Sequence, residues 1–174
     1  MSGPVSLEVL YREEVRPLYG FLWRLGARES EMEDLVHDVF VTAARRWASF
    51  DQTRPARPWL LGIAFRLFSE ARRRERPGAP LPEEEEIDPN PTPDEAVARR
   101  QAQRVLRRAL DTLPEERRVA FVLHELEGLS VQEVSGLMSA PAPTTYSRLK
   151  LAREEVSRAV ERFRREEEQR GGAR

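Results

Sequence analysis

Apolar residues recur along this chain at the three- and four-residue spacing of amphipathic helices. Between residues 30 and 48 they fall at Met32, Leu35, Val36, Val39, Phe40, Ala43 and Trp47, one stripe wide enough to face a core. Ser30 followed by Glu33 has the S-x-x-E form of a capping box, so the helix is expected to open there. Its opposite face carries Asp34, Asp38, Val41 and Arg45. A similar periodicity runs over Leu7–Leu25, and the segment 58–74 begins with a proline, which suits a first helical turn because that position donates no helical N–H. Three or more helices around one small core are expected here. Between the second and third lies "SFDQTRPARPW", where two prolines and Asp51 enforce a loop.

Beyond residue 94 the periodicity resumes over 95–110, breaks at "TLP", restarts at Glu115 and closes at Gly128. Ser130 and Glu133 repeat the capping pattern ahead of a short helix whose apolar face is Val131, Val134, Leu137 and Met138. A turn of a few residues follows. From Pro143 a last helix buries Thr145, Leu149, Ala152, Val156, Val160 and Phe163, leaving Ser147, Arg148, Lys150, Leu151 and Arg153 on the exposed flanks of its first turns. Two helices joined in this way have the form of a helix-turn-helix, whose second helix places its N-terminal turns in a major groove. An ordinary two-helix hairpin has the same pattern.

Charge divides what periodicity leaves continuous. The 174 residues sum to −1, yet residues 1–76 carry +2, residues 77–98 carry −7 and residues 99–174 carry +4. The acidic stretch reads "PGAPLPEEEEIDPNPTPDEAVA", with six prolines within 77–93, a composition unable to bury enough apolar surface to fold alone. It is expected to be a linker, either a solvated spacer or an acidic strand occupying a nucleic-acid channel. The expected fold is therefore all-α: two small helical domains, 1–76 and 99–174, joined by an acidic, proline-rich linker over 77–98, with the helix-turn-helix at the C-terminal end.

The chain has no cysteine, which excludes disulfides and thiolate chemistry and fits a reducing compartment. Neither a signal peptide nor a run of about 20 apolar residues is present, so no membrane span is expected and the cytoplasm is the default location. Two histidines, His37 near Glu33 and His124 near Glu125 and Glu127, make no convincing metal set. No metal, cofactor or catalytic residue is expected. Phe50 and Trp59 beside arginines suit stacking on single-stranded bases, though either ring would serve equally as core.

Taken in series, "EDLVHDVFVTAARRWASF", "RPWLLGIAFRLFSEARRR", "LDTLPEERRVAFVLHELEGLSVQEVSGLM" and "TTYSRLKLAREEV" resemble the small, two-domain extracytoplasmic-function sigma factors of bacterial RNA polymerase. The resemblance covers about residues 7–75 and 100–163. It implies that residues 1–76 correspond to sigma region 2, which docks on polymerase and opens the −10 element, and residues 99–174 to region 4, which reads the −35 element as duplex. The partners implied are core RNA polymerase, through its β′ clamp helices and β flap, and promoter DNA, with an anti-sigma factor as a candidate regulator. The alternative of a free-standing regulator lacks a use for the acidic helix face.

Residue by residue, the resemblance assigns polymerase binding to Asp34, His37, Asp38, Val41 and Arg45. It assigns the −10 element to Phe50, Arg57, Trp59, Phe65, Arg66 and Arg73, with Arg72, Arg73, Arg74 and Arg76 suited to phosphate contacts. The −35 element falls to Thr144, Ser147, Arg148, Lys150, Leu151 and Arg153. The departures are Phe65-Arg66 where relatives commonly have Arg-Asn, Ser139 at the usual turn glycine, Pro143 at the glycine before the recognition helix, and Tyr146 and Leu151 at two positions usually basic. Arginine only donates hydrogen bonds whereas asparagine also accepts, so base preference at the −10 element need not carry over. Fewer cations imply weak −35 binding in isolation.

Overall fold

The computed structural model describes residues 6–74 and 93–171, and every regular element among them is helical. The chain separates into two compact units, one on each side of a division between Pro82 and Glu83. That division, and residues 77–92 of the expected linker, lie outside the described residues.

In the first unit, α1 spans Leu7–Leu25, α2 Glu29–Arg46 and α3 Ala56–Arg74. Ser6 caps α1 by accepting from the Val9 N–H at 3.2 Å, and the helix closes on Gly26 at φ +104, a left-handed conformation that glycine adopts without a Cβ clash. The core is Leu18, Phe21, Leu22 and Leu25 from α1, Val36, Val39 and Ala43 from α2, and Leu60, Leu61, Ile63, Ala64 and Phe68 from α3. The predicted stripe of α2 is thus buried, with one exception. Trp47 leaves the helix in a short 3-10 turn, Trp47–Ser49, and is only half-buried.

The start of α2 differs from expectation. Ser30 and Glu33 lie inside the helix. Arg28 is the N-cap, and the Glu31 carboxylate accepts its backbone N–H at 2.7 Å. Gly26 ends α1 so close by that α2 must begin before Ser30, and an acid at the third position satisfies the orphan donor that a capping serine would otherwise leave.

The second unit comprises α4 Pro93–Asp111, α5 Glu115–Phe121 continuing into a π-helical turn Val122–Leu126, α6 Val131–Met138 and α7 Ala142–Gly171. Helix α4 begins inside the segment expected to be linker, because proline is well suited to a first helical position. Its end is tied to α5 by Asp111, whose carboxylate accepts from the buried Arg107 at 3.1 Å and the buried Arg118 at 2.6 Å. Ser130 and Glu133 form the predicted capping box in both directions, with Glu133 N–H to Ser130 Oγ at 3.3 Å and Ser130 N–H to Glu133 at 2.8 Å. Gly128, at φ +75, makes the turn before it.

Candidate polymerase and nucleic-acid interfaces

Helix periodicity decides what α2 shows to solvent. Asp34, Asp38, Val41 and Arg45 follow one another at three- and four-residue steps on the side opposite the buried stripe, with His37 one turn before Val41. Asp34, His37, Asp38 and Arg45 are exposed and Val41 is half-buried, so the acidic face exists as a continuous surface. Two tyrosines of α1 lie beside this helix, which the sequence pattern did not single out. Tyr11 packs edge-on against Phe40 of α2 at 4.7 Å yet keeps 52% of its surface exposed. Partial burial raises the Tyr19 phenol above its ordinary pKa, and the neighbouring Glu33 carboxylate raises it further.

The connection between α2 and α3 gathers three rings. Phe50 and Trp59 lie 4.6 Å apart, and Trp47 joins them at 5.4 Å from Phe50 and 5.9 Å from Trp59. All three are half-buried, so the cluster serves as part of the packing and still offers ring surface. Asp51 shapes the loop by accepting from the Thr53 hydroxyl at 2.6 Å and the Thr53 N–H at 3.0 Å. Those two bonds, hydroxyl first, hold its carboxyl below the usual range, with Arg54 assisting. Along α3, Trp59, Arg66 and Arg73 recur every seven residues on one side, with Arg66 and Arg73 exposed and Phe65 half-buried.

Two arginines of this region are placed otherwise than expected. Arg57 is bonded to Glu14 of α1, which ties its guanidinium to that helix. Arg72 donates to the Gly26 carbonyl at 2.5 Å and lies over the Phe68 ring at 5.3 Å, so it braces the end of α1. Arg73 and Arg74 remain exposed, and Arg76 lies outside the described residues.

In the second unit the turn between α6 and α7 passes through Ser139 at φ +50, the one non-glycine residue with positive φ among those described. Thr145, completely buried, locks the two helices. Ser135 donates to its hydroxyl at 2.9 Å, and that hydroxyl donates to the Pro141 carbonyl at 3.3 Å. The first turns of α7 display Thr144, Ser147, Lys150 and Leu151 as predicted, and also Tyr146, which is 59% exposed and was recognised in the sequence only as a missing cation.

Arg148 and Arg153, on the flanks of these turns, are each bonded to a carboxylate. The Arg148 side chain is only 20% exposed and donates to Glu116 at the start of α5, at 2.5 Å. Arg153 donates to Glu125 in the π-helical turn at 2.6 Å. Glu125 also lies 3.9 Å from His124 Nε2, while His124 Nδ1 is 2.7 Å from the Leu129 carbonyl and so carries the proton on that side. Sequence periodicity alone gives no sign of these pairs, because the partners are 32 and 28 residues apart. Among the described residues no group of three potential metal-binding side chains comes together, and no helix is long and apolar enough to cross a membrane.

The same two units are recognised by family models. Residues 10–77 match Sigma-70 region 2, and residues 103–156 match Sigma-70, region 4. The chain is 25% identical over 172 residues to the RNA polymerase sigma-H factor of Pseudomonas aeruginosa, covering 92% of this chain and 89% of that one. It is 28% identical over 142 residues to the ECF RNA polymerase sigma-E factor of Escherichia coli K12, covering 75% and 74%. In fold it resembles the sigma factor RpoE of Bartonella quintana, solved with the anti-sigma factor NepR, at a TM-score of 0.68, 22% identity and coverage of 88% and 96%. It likewise resembles CnrH, solved with the cytosolic domain of CnrY, at a TM-score of 0.63, 23% identity and coverage of 89% and 87%. With region 2 on the first helical unit and region 4 on the second, this chain belongs to the sigma-70 family as an extracytoplasmic-function sigma factor, a non-enzymatic subunit that directs promoter-specific initiation by RNA polymerase.

Proposed function

We propose that the outer face of α2, from Asp34 to Arg45, is the surface that docks on the β′ clamp helices, and that the second unit meets the β flap. The observation that carries this reading is the separation of roles on α2. Asp34, His37 and Asp38 are exposed directly behind the stripe that fills the core, so they are free of any packing duty. The Trp47, Phe50 and Trp59 rings, with Arg66 and Arg73 along α3, take the single strand of the −10 element by stacking and phosphate contact. Helix α7 reads the −35 duplex through Thr144, Tyr146, Ser147, Lys150 and Leu151, the leucine suiting a thymine methyl. A chain of net charge −1 needs polymerase to supply much of its hold on DNA, which is consistent with work as a holoenzyme subunit in the cytoplasm. Because two structural relatives were solved as complexes, one of them with a named anti-sigma factor, a protein inhibitor of that kind is the natural candidate regulator.

The test is a charge reversal, Asp34→Lys with Asp38→Lys. Binding to core polymerase and transcription from a cognate promoter should both fall while helical content and unfolding midpoint stay at wild-type values. Undiminished affinity for core would remove α2 from the interface.

A further inference from the structure

Of the three cations in residues 142–153, two are held by carboxylates: Arg148 by Glu116 and Arg153 by Glu125. Lys150 has no such partner among the described residues. Each pair has one well-exposed member, Glu116 at 70% and Arg153 at 52%, so water screens both and their contribution to folding is modest. Toward DNA their effect is larger. Each carboxylate offsets a cation that would otherwise neutralise a phosphate, and each is itself repelled by the phosphate backbone.

We infer that Glu116 and Glu125 mute the α7 reading head, so that the free chain holds DNA weakly of any sequence and engages it only when polymerase carries it to a promoter. The inference rests on the reading of α7 as the −35 helix. Non-specific binding comes from phosphate contacts, and a subunit that must find polymerase first gains by having few of them to offer. Sequence discrimination is left to the short contacts of Tyr146, Ser147 and Leu151, whose strength does not depend on these carboxylates.

Counterion release sets the size of the effect. Each phosphate neutralised adds about 0.9 to the slope of log affinity against log salt, so releasing both arginines steepens it by up to about 1.8. Between 50 and 200 mM salt that amounts to roughly a tenfold additional change in affinity. Glutamine at either position keeps an acceptor for the guanidinium and a similar helix propensity, so the charge alone is removed.

The experiment compares the full wild-type chain with Glu116→Gln, Glu125→Gln and the double variant, titrating a labelled promoter duplex and a shuffled duplex of the same composition across that salt range. Both duplexes should bind the double variant more tightly at low salt with a steeper slope, their ratio unchanged, and each single variant should give about half the effect. Glu161→Gln is the control. Glu161 is exposed on the same helix about 20 Å along the axis from Arg148, beyond a screening length at these salts, and its replacement should leave the slope where it is. An unchanged slope in the double variant overturns the inference. So does an equal steepening in Glu161→Gln, or loss of helical signal in the double variant, which would make the pairs supports of the fold. A wild-type holoenzyme that fails to prefer the promoter duplex to the shuffled one overturns the −35 reading instead, whatever the slopes.

Discussion

Replacing Thr145 by valine removes one oxygen from the joint of the helix-turn-helix and almost nothing else. Thr145 has no exposed surface, and its hydroxyl both accepts from Ser135 of α6 and donates to the Pro141 carbonyl. Valine keeps the shape, and its backbone N–H still serves the Pro141 carbonyl as that of Thr145 does at 3.0 Å, but it takes away the acceptor of the half-buried Ser135 hydroxyl. A net hydrogen bond contributes about 0.5–1.5 kcal/mol, and an orphaned polar group adds to the loss, so Thr145→Val should cost about 1–3 kcal/mol. Ser135→Ala removes a single bond and should cost about 0.5–1.5 kcal/mol. The double variant has no stranded Ser135 hydroxyl, so the two costs should fall short of adding by about 0.5–1.5 kcal/mol. Urea unfolding followed by helical circular dichroism measures all four corners of the cycle. Trp23, Trp47 and Trp59, the chain's three tryptophans, all belong to the first unit, so their fluorescence follows that unit separately and should not move. Strictly additive costs would refute the reasoning, since they would mean that the two hydroxyls do not depend on each other.

Ser139→Gly relieves a left-handed conformation that costs an L-residue about 1–2 kcal/mol, partly offset by the greater freedom of unfolded glycine, and should stabilise the second unit by about 0.5–1 kcal/mol in the same urea series. Trp59→Ala should weaken holoenzyme binding to a probe with a single-stranded −10 element by about 1–3 kcal/mol, with Trp59→Phe recovering much of it and a fully duplex −35 probe unaffected. Equal losses on both probes would assign the ring to folding alone.

Most of the helical layout was legible in the chain. Periodicity located α1 and the body of α2, and Ser130 with Glu133 marked α6, because burial of one helix face and capping of one orphan N–H are local demands that leave local patterns. The start of α2 was misplaced because Glu31 and Glu33 are both spaced to serve as the acid of a cap, and only the backbone shows that Glu31 takes the Arg28 N–H. Arg57, Arg72, Arg148 and Arg153 were harder still. An arginine's stem reaches far enough to choose among partners on other helices, and its destination depends on tertiary placement of carboxylates such as Glu14 and Glu116. Trp47 shows the same limit from the apolar side: helical spacing assigned it to the core, but the 3-10 turn ends the helix and re-aims the ring at Phe50 and Trp59.

Lys150, exposed in the third turn of α7, is the only lysine in the chain. Amine-directed chemistry therefore meets one ε-amine, on the face assigned to DNA, apart from the terminal amine. A fluorophore or crosslinker attached by ordinary acylation would sit at the reading head without any engineered cysteine. Acetylation there would remove the one cation of residues 142–153 that no carboxylate holds among the described residues, and leave both arginine pairs untouched.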